Sequence, residues 1–444
     1  MSISVRAFNI GLYTEHLEEA SFLYDQMRAL RGNPDIAWPS FEEFERRLEA
    51  HIDALVLGNA LALDICRQRL TSGDAGEAFA AVCVICRHQD ASEMARIWAA
   101  LDYDDAERVT AVTEALKTEL PPAWHAACEQ SLLRGDERLV PILVTACGAR
   151  RIPFADVIAQ RLDANSGLIS AGIIQALARL PLSETSLKLL EACMKHPSDA
   201  VKAAALRGLL GHGRRRPLQA LYLVAQTEPW PQIALGLAGD RNAATLLREL
   251  LIAKRATLDT FDALAVLGDL SAVRSLCESL ADEVLAAFAV QALYWITGAP
   301  LFEDVFVPET VDETTLFPKE LTAWRESGER PKGVDDRPFG TTGCRLSRDP
   351  IVWTQWLNAH AGNFNAQFRY RRGQLYSARA VFECLCDPWT PHRLRRLAYD
   401  ELLGRFGCPV SFEADWPVVQ QRAALSAIER WLAENDANLP VGQW

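Results

Sequence analysis

A fixed period runs through the middle of this chain. Ala-Leu pairs fall at Ala176-Leu177, Ala205-Leu206, Ala234-Leu235, Ala263-Leu264 and Ala292-Leu293. Each step is 29 residues. Ala-Leu is a common dipeptide, so one match means nothing. Five in strict register are the signature of stacked repeat units. Weaker copies precede them near Ala146-Cys147 and Ala126-Ala127. Each unit reads as two helices. In Ser198 to Gly213, Ser198 or Asp199 stands where a helix cap is needed. Val201, Ala204, Ala205, Leu206 and Leu209 recur at helical spacing. Gly211 and Gly213 are suited to a left-handed helix stop. A second helix is predicted over Pro217 to Gln226. Thr260 to Gly268 with Ala272 to Leu280, and then Asp282 to Gly298, repeat the pattern. No copy buries its apolar face alone, so the units must stack.

The acidic cap followed by Val-Lys-x-Ala-Ala-Leu-x-x-Leu-x-Gly resembles the HEAT-like repeat family, in the short form also seen in phycobilin-lyase-type proteins. The resemblance implies an all-α fold, a HEAT-like α-solenoid of about 29-residue helical hairpins. The repeat array is expected over 136–300, between a helical N-terminal cap (1–135) and a helical C-terminal region (350–444). Helices are predicted at Glu15 to Leu30, Ser40 to Leu57, Ala75 to Arg87, Ser92 to Leu101, Asp104 to Thr118 and Trp124 to Leu133. Ser40 followed by Glu43 reads as a capping box. After Pro300 the texture changes. Residues 301–349 read as an acidic loop and linker, because β-branched residues, prolines, glycines and charge disfavour a helix there. Helices resume at Pro350 to His360, Ala378 to Cys386, Pro391 to Phe406 and Pro417 to Ala433.

Two further segments support a narrower resemblance. One is His16-Leu17-Glu18-Glu19-Ala20 with Phe22-Leu23, followed by Arg47 to Leu55. The other is Trp353-x-x-Trp356-Leu357 with Phe368-Arg-Tyr-Arg-Arg-Gly-Gln374. Together with the repeats they resemble an uncharacterised proteobacterial family of HEAT-repeat proteins encoded near type VI secretion genes. The resemblance carries no catalytic motif.

Charge narrows the class of partner. The chain has 46 basic and 58 acidic residues, net −12. Residues 1–320 hold 30 basic and 44 acidic residues, and residues 321–444 hold 16 and 14. Nucleic-acid binders carry a basic footprint, so a basic protein partner is expected and nucleic acid is not. The first residues lack a cationic start with an apolar core, and the longest apolar run, Ala78 to Cys86, is too short to span a bilayer. A cytoplasmic location, no membrane contact and a monomer or 1:1 complex are the expectation. The eleven cysteines, among them Cys66, Cys128, Cys147, Cys193 and Cys277, sit in periodic apolar segments and read as reduced, buried thiols.

Chemistry-bearing patterns are sparse. Cys83-Val-Ile-Cys86 has only His88 nearby and lies in an apolar helical run, so core packing outweighs zinc binding. Cys384, Cys386 and Cys408, with His392 between, match no zinc spacing. The eight histidines form no His-x-x-x-His, and there is no phosphate loop or Gly-x-Ser-x-Gly elbow. No metal, cofactor or catalytic residue is assigned. The loop Gly211 to Pro217 reads as a solvated turn. The arginines of Phe368 to Gln374 are expected to pair with the acidic stretch near 303–313. The best partner-facing candidates are Glu303, Asp304, Glu309, Asp312 and Glu313. Glu191, Glu249 and Glu278 extend that surface if the second helix of each unit lines the concave face.

The expected function is that of a non-enzymatic protein-binding solenoid. The first reading is a cytosolic immunity protein that occludes the active site of a type VI secretion toxin, with a nuclease as the natural target. An adaptor or assembly scaffold that loads an effector onto the spike is the alternative. A HEAT-like DNA-repair or lyase enzyme comes third, because it needs a basic channel that this charge distribution opposes.

Overall fold

The computed structural model describes residues 4–31, 33, 36–163, 166–309, 311–333 and 337–444. Helices dominate. The N-terminal region holds α1 (Val5–Arg31), α2 (Phe41–Leu57), α3 (Asn59–Ser72), α4 (Ala75–Arg87), α5 (Ala91–Ala100), α6 (Ala106–Glu119) and α7 (His125–Arg134). The periodic region follows with α8 (Leu139–Arg150), α9 (Ala155–Arg161), α10 (Ala171–Ala178), α11 (Glu184–Cys193) and α12 (Asp199–Gly211). It continues through α13 (Leu221–Ala225), α14 (Gln232–Ala238), α15 (Arg241–Ile252), α16 (Leu258–Leu267), α17 (Val273–Glu278) and α18 (Ala286–Thr297). Then come β1 (Phe302–Pro308), α19 (Pro318–Ser327), β2 (Gly340–Leu346) and α20 (Pro350–His360). The chain ends with β3 (Tyr370–Arg371), β4 (Gln374–Leu375), α21 (Ala378–Cys386), α22 (His392–Phe406) and α23 (Val418–Asn435).

Alternate helices pack in sequence. α4, α6, α8, α10, α12, α14, α16 and α18 each lie against the next, while α3, α7, α11, α15 and α17 flank them. The five Ala-Leu pairs fall on α10, α12, α14, α16 and α18, and all ten residues are buried. Small side chains set the spacing of this series. A Cβ on Gly148 of α8 would lie 2.8 Å from the Ala176 Cβ, and one on Gly236 of α14 would lie 2.6 Å from the Ala263 Cα. Backbones this close leave no room for a larger residue.

Local caps explain several helix starts. Asp74 and Glu77 form a reciprocal capping box at α4. Asp90, Asp105, Ser170 and Asp240 accept backbone N–H bonds at α5, α6, α10 and α15. The capping box expected at Ser40 is absent. Ser40 is itself helical, at the end of a short 3₁₀ turn, so its hydroxyl makes no cap bond. The helix expected over Pro217 to Gln226 begins as a 3₁₀ turn, Arg216–Ala220, before α13.

The expected linker differs most from the structure. Within 301–349, β1 and β2 form an antiparallel ribbon running from Phe302↔Leu346 to Pro308↔Gly340, and α19 lies between them. The β-branched and aromatic residues that oppose a helix here favour paired strands. Residues 310 and 334–336 of this stretch lie outside the described residues.

The C-terminal helices pack back on the periodic region. α22 lies against α12, α14 and α16, and α23 lies against α21 and α2. One continuous apolar core joins Leu206 through Ile296 to Trp353, Phe382, Leu402 and Ile428. A second core spans the N-terminal helices and runs on to Leu209. No helix among the described residues is long and apolar enough to cross a membrane.

Candidate binding surfaces

The last carbonyls of a helix have no partner within it, and a cation placed there also complements the helix dipole. Arginines from the C-terminal region occupy several such positions. Arg369 donates to Leu267 O at 2.5 Å, and Arg371 donates to Val266 O at 2.8 Å, both at the end of α16. Arg405 caps the end of α14 through Gly239 O at 2.9 Å. The β3–β4 hairpin adds backbone bonds. Tyr370 N–H donates to Gly268 O, Arg372 N–H to Trp295 O, and Gly373 N–H to Ile296 O, at 2.8 to 3.0 Å. Arg372 and Gly373, at φ +47° and +77°, make the tight turn of this hairpin.

The expected pairing of these arginines with residues 303–313 is therefore not what forms. Arg371 pairs with Glu401, and Arg372 with Asp387. Burial pulls Arg369 down to about 10, with Arg405 adding to the effect. The Tyr376 ring offsets part of the cost of burying its charge, since the guanidinium lies 3.7 Å from the ring centroid.

A cleft of about 1110 Å³ lies between the N-terminal helices and the segment after α22. That segment carries Glu413, which accepts from Arg151 and Arg179 at 2.8 Å each, at the ends of α8 and α10. Burial raises the Glu413 carboxyl, and the two guanidiniums counter it in part. Asp415 behaves oppositely. Burial opposes its ionisation, but the 2.7 Å bond to His392 and nearby positive charge hold it well below the usual carboxylate range. Also on the cleft wall, Arg87 bridges Glu49, Asp53 and Glu119 at 2.7 to 2.8 Å. Lys117 pairs with Glu114 at 2.9 Å. Burial drives the Tyr24 hydroxyl up to about 12. The cleft is thus charged but internally paired, which favours a role in holding the two ends together.

No known protein-family model and no curated protein matches this chain.

The β1–β2 ribbon carries the first set of sequence candidates. Glu303 faces Arg345 across the strands at 2.9 Å, and Glu313 pairs with Arg325 at 2.5 Å. Asp312 turns inward to its own loop and accepts from Thr314. Asp304 and Glu309 are exposed, and neither carboxylate has an ion pair among the described residues. Strand alternation puts Phe302, Asp304 and Phe306 on one face, opposite Leu346, Cys344 and Thr342. Phe306 is 45% exposed and Phe317 is 75% exposed; Val307 and Phe339 are also exposed. Sequence reading found the acids but missed the apolar partners beside them.

Glu191, Glu249 and Glu278 are exposed on α11, α15 and α17. These are flanking helices, and α22 packs instead on α12, α14 and α16. The structure therefore sets these three on a different helix series from the one α22 covers, although α20 packs against α17. Glu278 also pairs with Arg274 at 3.2 Å.

The remaining motifs have structural partners. Cys83 and Cys86 are buried in α4, and burial raises both thiols well above their ordinary range. Cys384 and Cys408 are buried and Cys386 is half-buried. Among the described residues no three His, Cys, Asp or Glu side chains converge as a metal site requires. In the loop after α12, Arg214 pairs with Glu184, and Arg215 donates to Gly404 O at 2.9 Å.

Proposed function

We propose that this chain is a HEAT-like α-solenoid that acts by binding a basic protein partner, as a cytosolic immunity protein against a type VI secretion toxin. The observation that carries the reading is the ribbon. It presents exposed phenylalanines next to carboxylates that have no ion pair among the described residues, Phe302, Asp304 and Phe306 on one face and Glu309 beyond it. Exposed apolar groups rimmed by charge mark protein-binding surfaces. The apolar groups supply contact area. The acids steer a basic partner and select against acidic ones. The net charge of −12 favours the same encounter. The alternating helix series and its 29-residue Ala-Leu register support the solenoid reading.

The test is a tagged pull-down from the native bacterium at low and moderate salt, with mass spectrometry of what is retained. A single stoichiometric basic toxin, held at moderate salt and lost with Asp304→Lys plus Glu309→Lys or with Phe306→Ser, supports the proposal. Spike components that elute readily favour the adaptor reading. Unchanged retention by these variants removes the ribbon from the interface.

A further inference from the structure

A second cavity, of about 400 Å³, lies where the N-terminal region meets the start of α22. Its charged wall is made by Arg31, Glu45, His392, Arg393 and Arg395. Three of the four basic residues have a carboxylate of their own. Arg31 approaches Glu45 at 3.9 Å, His392 bonds Asp415 at 2.7 Å, and Arg393 pairs with Asp262. Arg395 has none among the described residues. It is 1% exposed, and its Nε donates to Leu385 O at 3.1 Å. Its two terminal nitrogens are buried with no hydrogen-bond partner among the described residues. The Trp38 ring covers the guanidinium at 4.2 Å, and Phe412 lies on it at 5.4 Å. Burial pulls the group down to about 10. A buried guanidinium without an anion is costly and calls for an explanation.

A second feature points the same way. The cavity wall includes Pro391, the residue before the first turn, with His392 and Arg393, the first two residues of the 15-residue helix α22. This helix has no side-chain cap and no acid in its first turn. Its opening N–H groups and its dipole therefore favour an anion at that end. The walls beyond are aromatic: Trp38, Trp389 and Trp416.

We propose that this cavity binds a small organic anion, its carboxylate or phosphate taken by the free fork of Arg395 and the N-terminus of α22, its flat body lying among the tryptophans. A fork of two N–H-bearing nitrogens matches two oxygens of either group. Trp38 is the cover. Its ring swings off the guanidinium when the ligand enters. The cavity joins Trp38 and Phe41 of the N-terminal region to α22, so a bound anion ties the two ends of the chain together.

The experiment titrates the full chain with benzoate and, separately, inorganic phosphate, at constant ionic strength in chloride. Calorimetry, thermal midpoint and tryptophan emission are followed together. Saturable binding of either anion, with a raised midpoint and altered emission, is expected. Benzoate alone identifies a carboxylate ligand, phosphate alone a phosphorylated one. Arg395→Met should weaken binding by about tenfold or more, since a charged hydrogen bond is lost. Should that variant fail to fold, Arg395→Lys keeps the charge but loses the fork and should show a similar loss. Response to neither anion, or equal binding by the folded variants, overturns the proposal.

Discussion

Arg371 and Glu401 form a two-pronged ion pair at 2.9 and 3.0 Å, and both side chains are 0% exposed. The Tyr376 hydroxyl donates to the same carboxylate at 2.9 Å, and the second prong of Arg371 also reaches Val266 O. The pair thus links α22, the β3–β4 hairpin and the end of α16 at one point. Breaking such a pair strands a charge in the core. Glu401→Ala should cost about 3–5 kcal/mol in denaturant unfolding, while Arg371→Met with Glu401→Met should recover most of that loss. A double variant as unstable as the single one would show that the pair is more than mutual compensation.

The hairpin docks against a glycine that has no room to change. Gly298 ends α18 at φ +66°, and a Cβ there would sit 2.4 Å from Arg372 O. The left-handed backbone alone costs a non-glycine residue about 1–2 kcal/mol. Gly298→Ala should therefore destabilise by at least that amount. Gly362→Ala, with open space around its Cβ, is the control. Equal midpoints for the two variants in urea would count against the docking geometry.

Asp415 should shape the acid limb of stability. Its folded carboxyl sits below the ordinary range, through His392 and nearby positive charge outweighing burial. Its contribution is complete above the unfolded value of about 3.9 and is lost as pH falls toward the folded value. Asp415→Asn should flatten the stability curve below about pH 4 and lower stability at neutral pH. An unchanged acid limb would show that the His392 contact does not form in solution.

Thiol reactivity offers a check on burial. Cys344, on the exposed face of β2, is exposed, and Cys386 is half-buried with its thiol pushed up to about 12. The other nine cysteines are buried. Brief alkylation of the native protein, read by peptide mass spectrometry, should modify Cys344 first and Cys386 far more slowly. Early labelling of Cys83 or Cys86 would contradict the packing of α4.

Local pattern carried much of the helix assignment. The segment predicted at Ala75 to Arg87 is α4 to the residue, because Asp74 and Glu77 signal its start and an unbroken apolar run fills it. α20 and α21 match as closely, each opened by a side-chain cap. The ribbon was not legible. Its strands are separated by more than thirty residues, and neither carries a turn signal linking it to the other. The arginines of 369–372 were legible as a cluster, but their partners Val266, Asp387 and Glu401 are distant in sequence in two of three cases. The same limit applied to Arg395. Nothing local distinguishes it from Arg393 or Arg396 on the same helix.

The amino-acid sequence by itself determined most of the helices and the 29-residue Ala-Leu register, because hydrophobic periodicity and small-residue spacing act over one or two turns. The caps read at Ser40 and Ser198 make no side-chain cap bond, and α3 lies outside the predicted helices. Only the tertiary structure decided which charges are compensated and which stand alone. Coulomb interaction and desolvation depend on distance and burial, and these are set by chain segments that meet only after folding. Glu303 and Asp304 are neighbours in sequence, yet one faces Arg345 and the other faces solvent. Arg393 and Arg395 are two residues apart, yet one meets Asp262 and the other lies buried beneath Trp38, its terminal nitrogens without a hydrogen-bond partner among the described residues.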